Sequence, residues 1–171
     1  MFIKKNKYYI YIENLSSINL NRVKNRSKFN LIYRNNIKKE KLSEIIAFQK
    51  LCKKKNIKFF VANDLSKALR LNASGIYLSS YNKKFLNISK TLRKNFEIIG
   101  SAHNFSEINM KRKQGCETVI LSRLFKTDYK NKSTFLGTTR FNLMTKNLIK
   151  NFVALGGIRS KNLMKINILN C

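Results

Sequence analysis

The chain has 171 residues, with 36 Lys plus Arg against 8 Asp plus Glu, a formal net charge of +28. At 43% hydrophobic it can bury a sizeable core, which excludes wholesale disorder. Its longest apolar runs fall far short of the roughly 20 residues needed to cross a bilayer, which argues against a membrane protein.

The N-terminus, MFIKKNKYYIYIENLSS, carries Lys but no apolar core and no small-residue cleavage site, so it does not read as a signal peptide. Cys52, Cys116 and Cys171 are widely spaced and fit no zinc pattern. Idle or buried thiols suit a reducing cytoplasm, the expected location. The basic balance points in principle to nucleic acid. Here, however, Lys is spread along the chain with Asn, Ile and Phe, without a basic tail. A solvated surface explains this better, and KRK at 111–113 falls on a helix of that kind. An anionic small ligand would still be drawn in.

In chain order, strands are predicted at Tyr8–Ile12, Phe29–Tyr33, Lys58–Ala62, Gly75–Leu78, Glu97–Gly100, Thr118–Leu121 and Phe152–Leu155. Most are apolar nearly throughout, as in parallel strands covered on both faces. A helix over Lys41–Lys55 has the clearest i, i+3, i+4, i+7 rhythm. Weaker helices are predicted at Ser66–Leu71, Ile88–Lys94, Ser106–Gln114, Asn142–Lys150 and Lys161–Leu169. Leu15–Lys28 is given a helix only because a crossover is needed there. Alternating strands and helices define an α/β fold. No linker divides residues 1–171, so one domain is expected. Seven units fall short of the eight in a (β/α)8 barrel, which typically takes about 250 residues. Either the sheet is open, or it is a (β/α)8-type barrel lacking its eighth strand, and an unclosed barrel would leave two unpaired edges that invite homo-oligomerisation.

The polar residues of interest follow strand ends, the edge where α/β folds bind ligands. Asn63-Asp64 follows the third predicted strand. Asp64 suits either Mg2+ or a helix N-cap, and Asn63 can offer its amide to a phosphate. Ser101-Ala102-His103 ends the fifth. His103, the sole histidine, suits a hydrogen-bonded loop role better than acid–base work. The segment 122–130 follows the sixth and reads as a ligand lid or a solvated basic loop. In it, Thr127 and Lys130 could meet a phosphate. Gly156-Gly157-Ile158 follows the seventh and reads as an oxyanion cradle or an ordinary turn. Arg34 ends the second and shares this rim.

Together, Arg34, Asn63-Asp64, Ser101-Ala102-His103, Phe125-Lys126-Thr127-Asp128-Tyr129-Lys130 and Gly156-Gly157-Ile158 resemble, in order and spacing, the thiamine phosphate synthases and related thiazole tautomerases. The resemblance implies a (β/α)8 barrel and the joining of hydroxymethylpyrimidine diphosphate to thiazole phosphate with release of pyrophosphate. It implies Mg2+ on Asp64, and a diphosphate held by Arg34, Asn63, Ser101 and Lys130, with Arg34 and Lys130 as the catalytic cations. It also implies a thiazole phosphate at Thr127 and the Gly156-Gly157 backbone. The chain departs from the family pattern in four places. Ile32 stands where a Gln reads the pyrimidine, and Asn36 where a Lys is usual. Asn82 replaces a second metal carboxylate, and Tyr129 a Thr or Ser. These departures keep a second reading open, a non-transferase relative that binds a phosphorylated ligand. Nucleic-acid binding is a distant third.

Overall fold

The computed structural model describes residues 2–4, 7–23, 28–35, 40–86, 93, 95–127, 134–146, 148 and 151–169. Its strands are β1 (Phe2–Lys4), β2 (Lys7–Ile12), β3 (Phe29–Tyr33), β4 (Lys58–Ala62), β5 (Gly75–Leu78), β6 (Glu97–Ala102), β7 (Thr118–Ser122) and β8 (Asn151–Leu155). Four α-helices are described: α1 (Leu42–Lys54), α2 (Leu65–Arg70), α3 (Phe105–Lys113) and α4 (Gly137–Thr145).

Strands β2 to β8 pair in sequence order, all parallel. These are the seven predicted strands, and the parallel part of the sheet does not close on itself. The expected open edges are nevertheless absent. β1 pairs antiparallel with both β2 and β8, through Phe2↔Tyr9 and Phe2↔Leu155, and so closes the ring. The edge argument for self-association falls with it. β1 has only three residues, too few to show an alternating pattern.

The strands are apolar on both faces because both are buried. Tyr9, Ile32, Phe60, Tyr77, Ile99, Ile120 and Val153 fill the inside of the ring. Leu31, Tyr33, Phe59, Val61, Ile76, Leu78, Val119 and Phe152 face outward into a larger core shared with the helices. Alternation with period two assigns each residue to its face. α1 turns Ile45, Gln49 and Cys52 inward, the i, i+4, i+7 stripe, and burial raises the Cys52 thiol pKa to about 12. Cys116 is likewise buried.

Three predicted helices differ from what is observed. Within 15–28 there are two 3-10 turns, Leu15–Ser17 and Leu20–Arg22, because the stretch has no apolar stripe to bury. The helix predicted at Asn142–Lys150 lies earlier, at Gly137–Thr145, anchored where Leu136 N and Gly137 N donate to the carbonyls of Arg123 and Leu124. The last predicted helix is a 3-10 turn over Ser160–Ile166. The helix predicted at 88–94 falls, except for Arg93, outside the described residues. None of the described helices is long and apolar enough to cross a membrane.

Candidate active site

The parallel strands bring their carboxyl ends to one mouth, and inward phase decides which side chains point into it. Arg34 continues the phase of Ile32. Its N–H donates to Ile12 O at 2.9 Å, extending the β2–β3 ladder by one residue. The guanidinium lies close enough to Tyr11, Tyr77 and Tyr81 to bias all three phenols toward ionisation. Its Nε is buried with no hydrogen-bond partner. A buried charged donor left unmatched is costly.

Below Arg34 the mouth is floored by tyrosines. Tyr11 Oη donates to Tyr77 Oη at 2.6 Å, and Tyr77 Oη donates to Ser101 Oγ at 2.8 Å. Burial raises the pKa of both phenols, so they stay protonated and donate. The flanking strand pairs Tyr11↔Ile32 and Ala62↔Tyr77 place this chain at the inner rim.

Asn63 takes a left-handed conformation (φ +59°), which Asn tolerates. Its Oδ1 accepts from Ser79 N and Oγ, both at 2.9 Å, and from Asn82 Nδ2 at 3.1 Å. Its Nδ2 donates to Tyr81 Oη across a long 3.3 Å. The Ser79 hydroxyl, then Arg34 and Asn63, lower the Tyr81 pKa against a desolvation that raises it. Asp64 caps α2, its Oδ1 accepting from Lys67 N at 2.8 Å. The cap reading is therefore realised, and Oδ1 carries it. Among the described residues no group of three metal-ligating side chains occurs.

His103 has the hydrogen-bonded loop role. Its Nδ1 lies 2.9 Å from both Ser122 O and Ser122 Oγ, joining the ends of β6 and β7. The β7 and β8 loops are zipped together. Leu124 N donates to Leu155 O (2.6 Å) and Phe125 N to Gly156 O (3.0 Å). Gly156 and Gly157 have φ of +97° and +67°, and a Cβ on Gly157 would stand 2.5 Å from the carbonyl oxygens of both Phe125 and Lys126. Only glycine fits there. Thr127 Oγ1 accepts from Arg123 Nη1 at 2.7 Å, and Arg123 Nη2 donates to Thr134 O at 2.8 Å.

The structure thus brings Arg34, Asn63 and Ser101 to one side of the mouth, linked through Tyr77 and Tyr81, and Thr127, Gly156 and Gly157 to another. Lys130, Asp128, Tyr129 and Asn36 lie outside the described residues. Tyr11, Tyr77, Ser79, Tyr81 and Arg123 take part without having been singled out from sequence. Counting inward phase from Tyr9 and from Gly75 finds Tyr11, Tyr77 and Ser79. A separate groove of about 900 Å3 opens at the opposite end, among Lys58, Ser74, Arg93, Glu97 and Glu117. That end of such folds serves stability.

These features define an α/β protein of the barrel type with its polar groups gathered at the carboxyl ends of the strands. The profile of the thiamine monophosphate synthase family matches residues 10–170, and the chain belongs to that family. It is 35% identical over 129 residues to the thiamine-phosphate synthase of Prochlorococcus marinus subsp. pastoris, covering 75% of this chain and 36% of that one. It is 30% identical over 130 residues to thiamine-phosphate synthase 1 of Streptococcus pneumoniae, covering 74% and 61%. It therefore spans about a third of the length of the first of these relatives. A solved structure, the thiamine phosphate pyrophosphorylase from Pyrococcus furiosus, superposes with a TM-score of 0.67 at 20% identity, over 95% of this chain and 81% of that one. That likeness supports the fold alone.

Proposed function

We propose that the protein acts in thiamine biosynthesis as a thiamine phosphate synthase-type transferase, coupling hydroxymethylpyrimidine diphosphate to thiazole phosphate. The reading is carried by Arg34: a cation at the mouth with a buried, unmatched Nε is a donor built for an anion that arrives from outside. In the reaction the bond from the pyrimidine methylene carbon to the diphosphate oxygen breaks, and its electron pair leaves with pyrophosphate. The thiazole ring nitrogen supplies the pair for the new C–N bond and becomes cationic.

Each group then has a defined task. Arg34 donates to the diphosphate as its negative charge grows. Ser101, its oxygen already fixed by Tyr77, turns its own proton toward the same anion. Asn63 can exchange its long bond to Tyr81 for a phosphate oxygen. Lys130 adds the second cation. Thr127 and the N–H groups beyond Gly156 and Gly157 take the thiazole phosphate. Asp64 retains Oδ2 for Mg2+, and a single carboxylate is enough where substrate phosphates complete the shell. Such an ion, when bound, would share the charge of the leaving diphosphate. Residues 1–171 are read as one barrel unit working in the cytoplasm.

The test is Mg2+-dependent release of pyrophosphate from the two substrates together. Product formed only when all three components are present supports the reading, and none at saturating substrate overturns it. A second reading is favoured by two observations. Ile32 is fully buried and offers no polar atom to a pyrimidine, and Asn82 supplies an amide where the family uses a carboxylate. A relative that binds thiazole phosphate without transferring to it would show binding of that ligand and indifference to the pyrimidine diphosphate.

A further inference from the structure

Lys111 belongs to the basic run 111–113, yet it is completely buried in α3 while its neighbours Arg112 and Lys113 are exposed. Burial lowers the pKa of its ammonium, the reverse of what a solvated lysine experiences. Its Nζ donates to the main-chain oxygen of Asn82 at 2.7 Å and to Gln114 Oε1 at 2.9 Å. Gln114, itself buried, donates from Nε2 to that same Asn82 oxygen at 3.0 Å and to Lys84 O at 2.7 Å. β6 yields space to the lysine stem: a Cβ on Gly100 would lie 2.8 Å from Lys111 Cδ and 2.8 Å from Cys116 Sγ. Strand, helix and loop are thus shaped around one ammonium.

What this pair grips is the back of the loop that follows β5. The front of the same loop faces the mouth. From Asn82 the bonds run through Nδ2 to Asn63 Oδ1, and from Asn63 Nδ2 to the Tyr81 phenol beside Arg34. An apolar side chain would fill the space as well or better, since replacing a buried charge with a hydrophobe is often neutral or stabilising. It would not hold two carbonyls in place.

We propose that Lys111 and Gln114 are positioning residues. They fix the carbonyls of Asn82 and Lys84, so that the loop presents Asn63 and Tyr81 beside Arg34 in the posture that receives a diphosphate. This rests on the reading of the mouth as a diphosphate site. Neither residue touches the substrate.

Two variants of the full chain test it. Lys111→Met keeps the stem and removes the donor. Gln114→Glu keeps the shape, gives Lys111 an ionic partner that secures folding, and removes the Nε2 donors. Three readouts are taken: amide exchange over residues 79–84, calorimetric binding of pyrophosphate with Mg2+, and kcat and KM for the pyrimidine diphosphate. Both variants are expected to exchange faster in that loop. Lys111→Met should bind pyrophosphate about tenfold more weakly, the scale of one charged hydrogen bond, and raise KM more than it lowers kcat. Unchanged loop exchange overturns the proposal, and so does faster exchange with unchanged pyrophosphate affinity. If the unsubstituted protein itself binds no pyrophosphate, the reading of the mouth fails, and the proposal fails with it. Binding by the parent that both variants match sinks the positioning role alone.

Discussion

Tyr77 and Ser101 stand on neighbouring strands, and the phenol donates to the serine hydroxyl at 2.8 Å. The hydroxyl therefore keeps its own proton for a different acceptor. Tyr77→Phe removes this bond and, with it, the bond that the Tyr11 phenol donates to Tyr77. The expected cost is about 1–3 kcal/mol in urea unfolding, the scale of two hydrogen bonds lost together. The KM for the diphosphate substrate should rise as well. A Phe variant with parental stability and kinetics would show that this tyrosine chain is only filling.

Arg34 carries the functional reading, so its replacement is decisive. Arg34→Met should lower turnover by about a hundredfold or more, the scale seen when one preorganised donor to a growing anion is removed. Its melting temperature should stay near that of the parent, since the residue is only half-buried and its Nε has no hydrogen bond to lose. A stable but fully active variant would place the anion elsewhere.

At Asp64 the cap and the metal ligand can be separated. Asn caps helices as well as Asp, whereas Ala forfeits about 1 kcal/mol. Asp64→Asn should melt like the parent and lose Mg2+-dependent turnover. Asp64→Ala should lose both turnover and stability. If Asp64→Asn works normally, the bond to Lys67 N is the whole of this residue's role.

Glu40 supplies a pH dependence. Burial disfavours its charged form, but hydrogen bonds from Tyr33 Oη, Leu15 N and Asn35 Nδ2, with the charge of Lys67, outweigh this and lower its pKa. A folded-state pKa below the unfolded one adds stability above the unfolded value, near pH 4.3 for a free Glu, and loses it as pH falls through the folded value. Unfolding free energies of parent and Glu40→Gln should therefore differ at about pH 6 and converge as the pH falls below the unfolded value and through the folded one. A gap that ignores pH would rule out the carboxylate as its source.

The seven parallel strands were legible because burial on two faces leaves long apolar runs, as in FFVA at 59–62 and VIL at 119–121. The convergence of Arg34, Asn63, Ser101 and Gly157 on one mouth was also legible, since each follows a strand end. The partners those side chains choose were not. Asn63 turns its carbonyl to Ser79 and Asn82, sixteen and nineteen positions away, which no local pattern announces. Lys111 reads as surface because α3 is too polar throughout to show an inner stripe, so its burial emerges only from the fit of α3 against β6 and the β5 loop. β1 is too short to register at all.

That short strand has a geometric consequence. In a barrel of uniform strands, girth follows from strand number and stagger together. Here the ring carries one seam, where Phe2–Lys4 runs against both flanks. Counting around the ring, Arg34 after β3 and Gly157 after β8 are three steps apart across that seam and five the other way. The span between the two halves of the mouth is thus gauged by a rung of three residues, and any shift of that rung would be felt as a change in bore at the far rim.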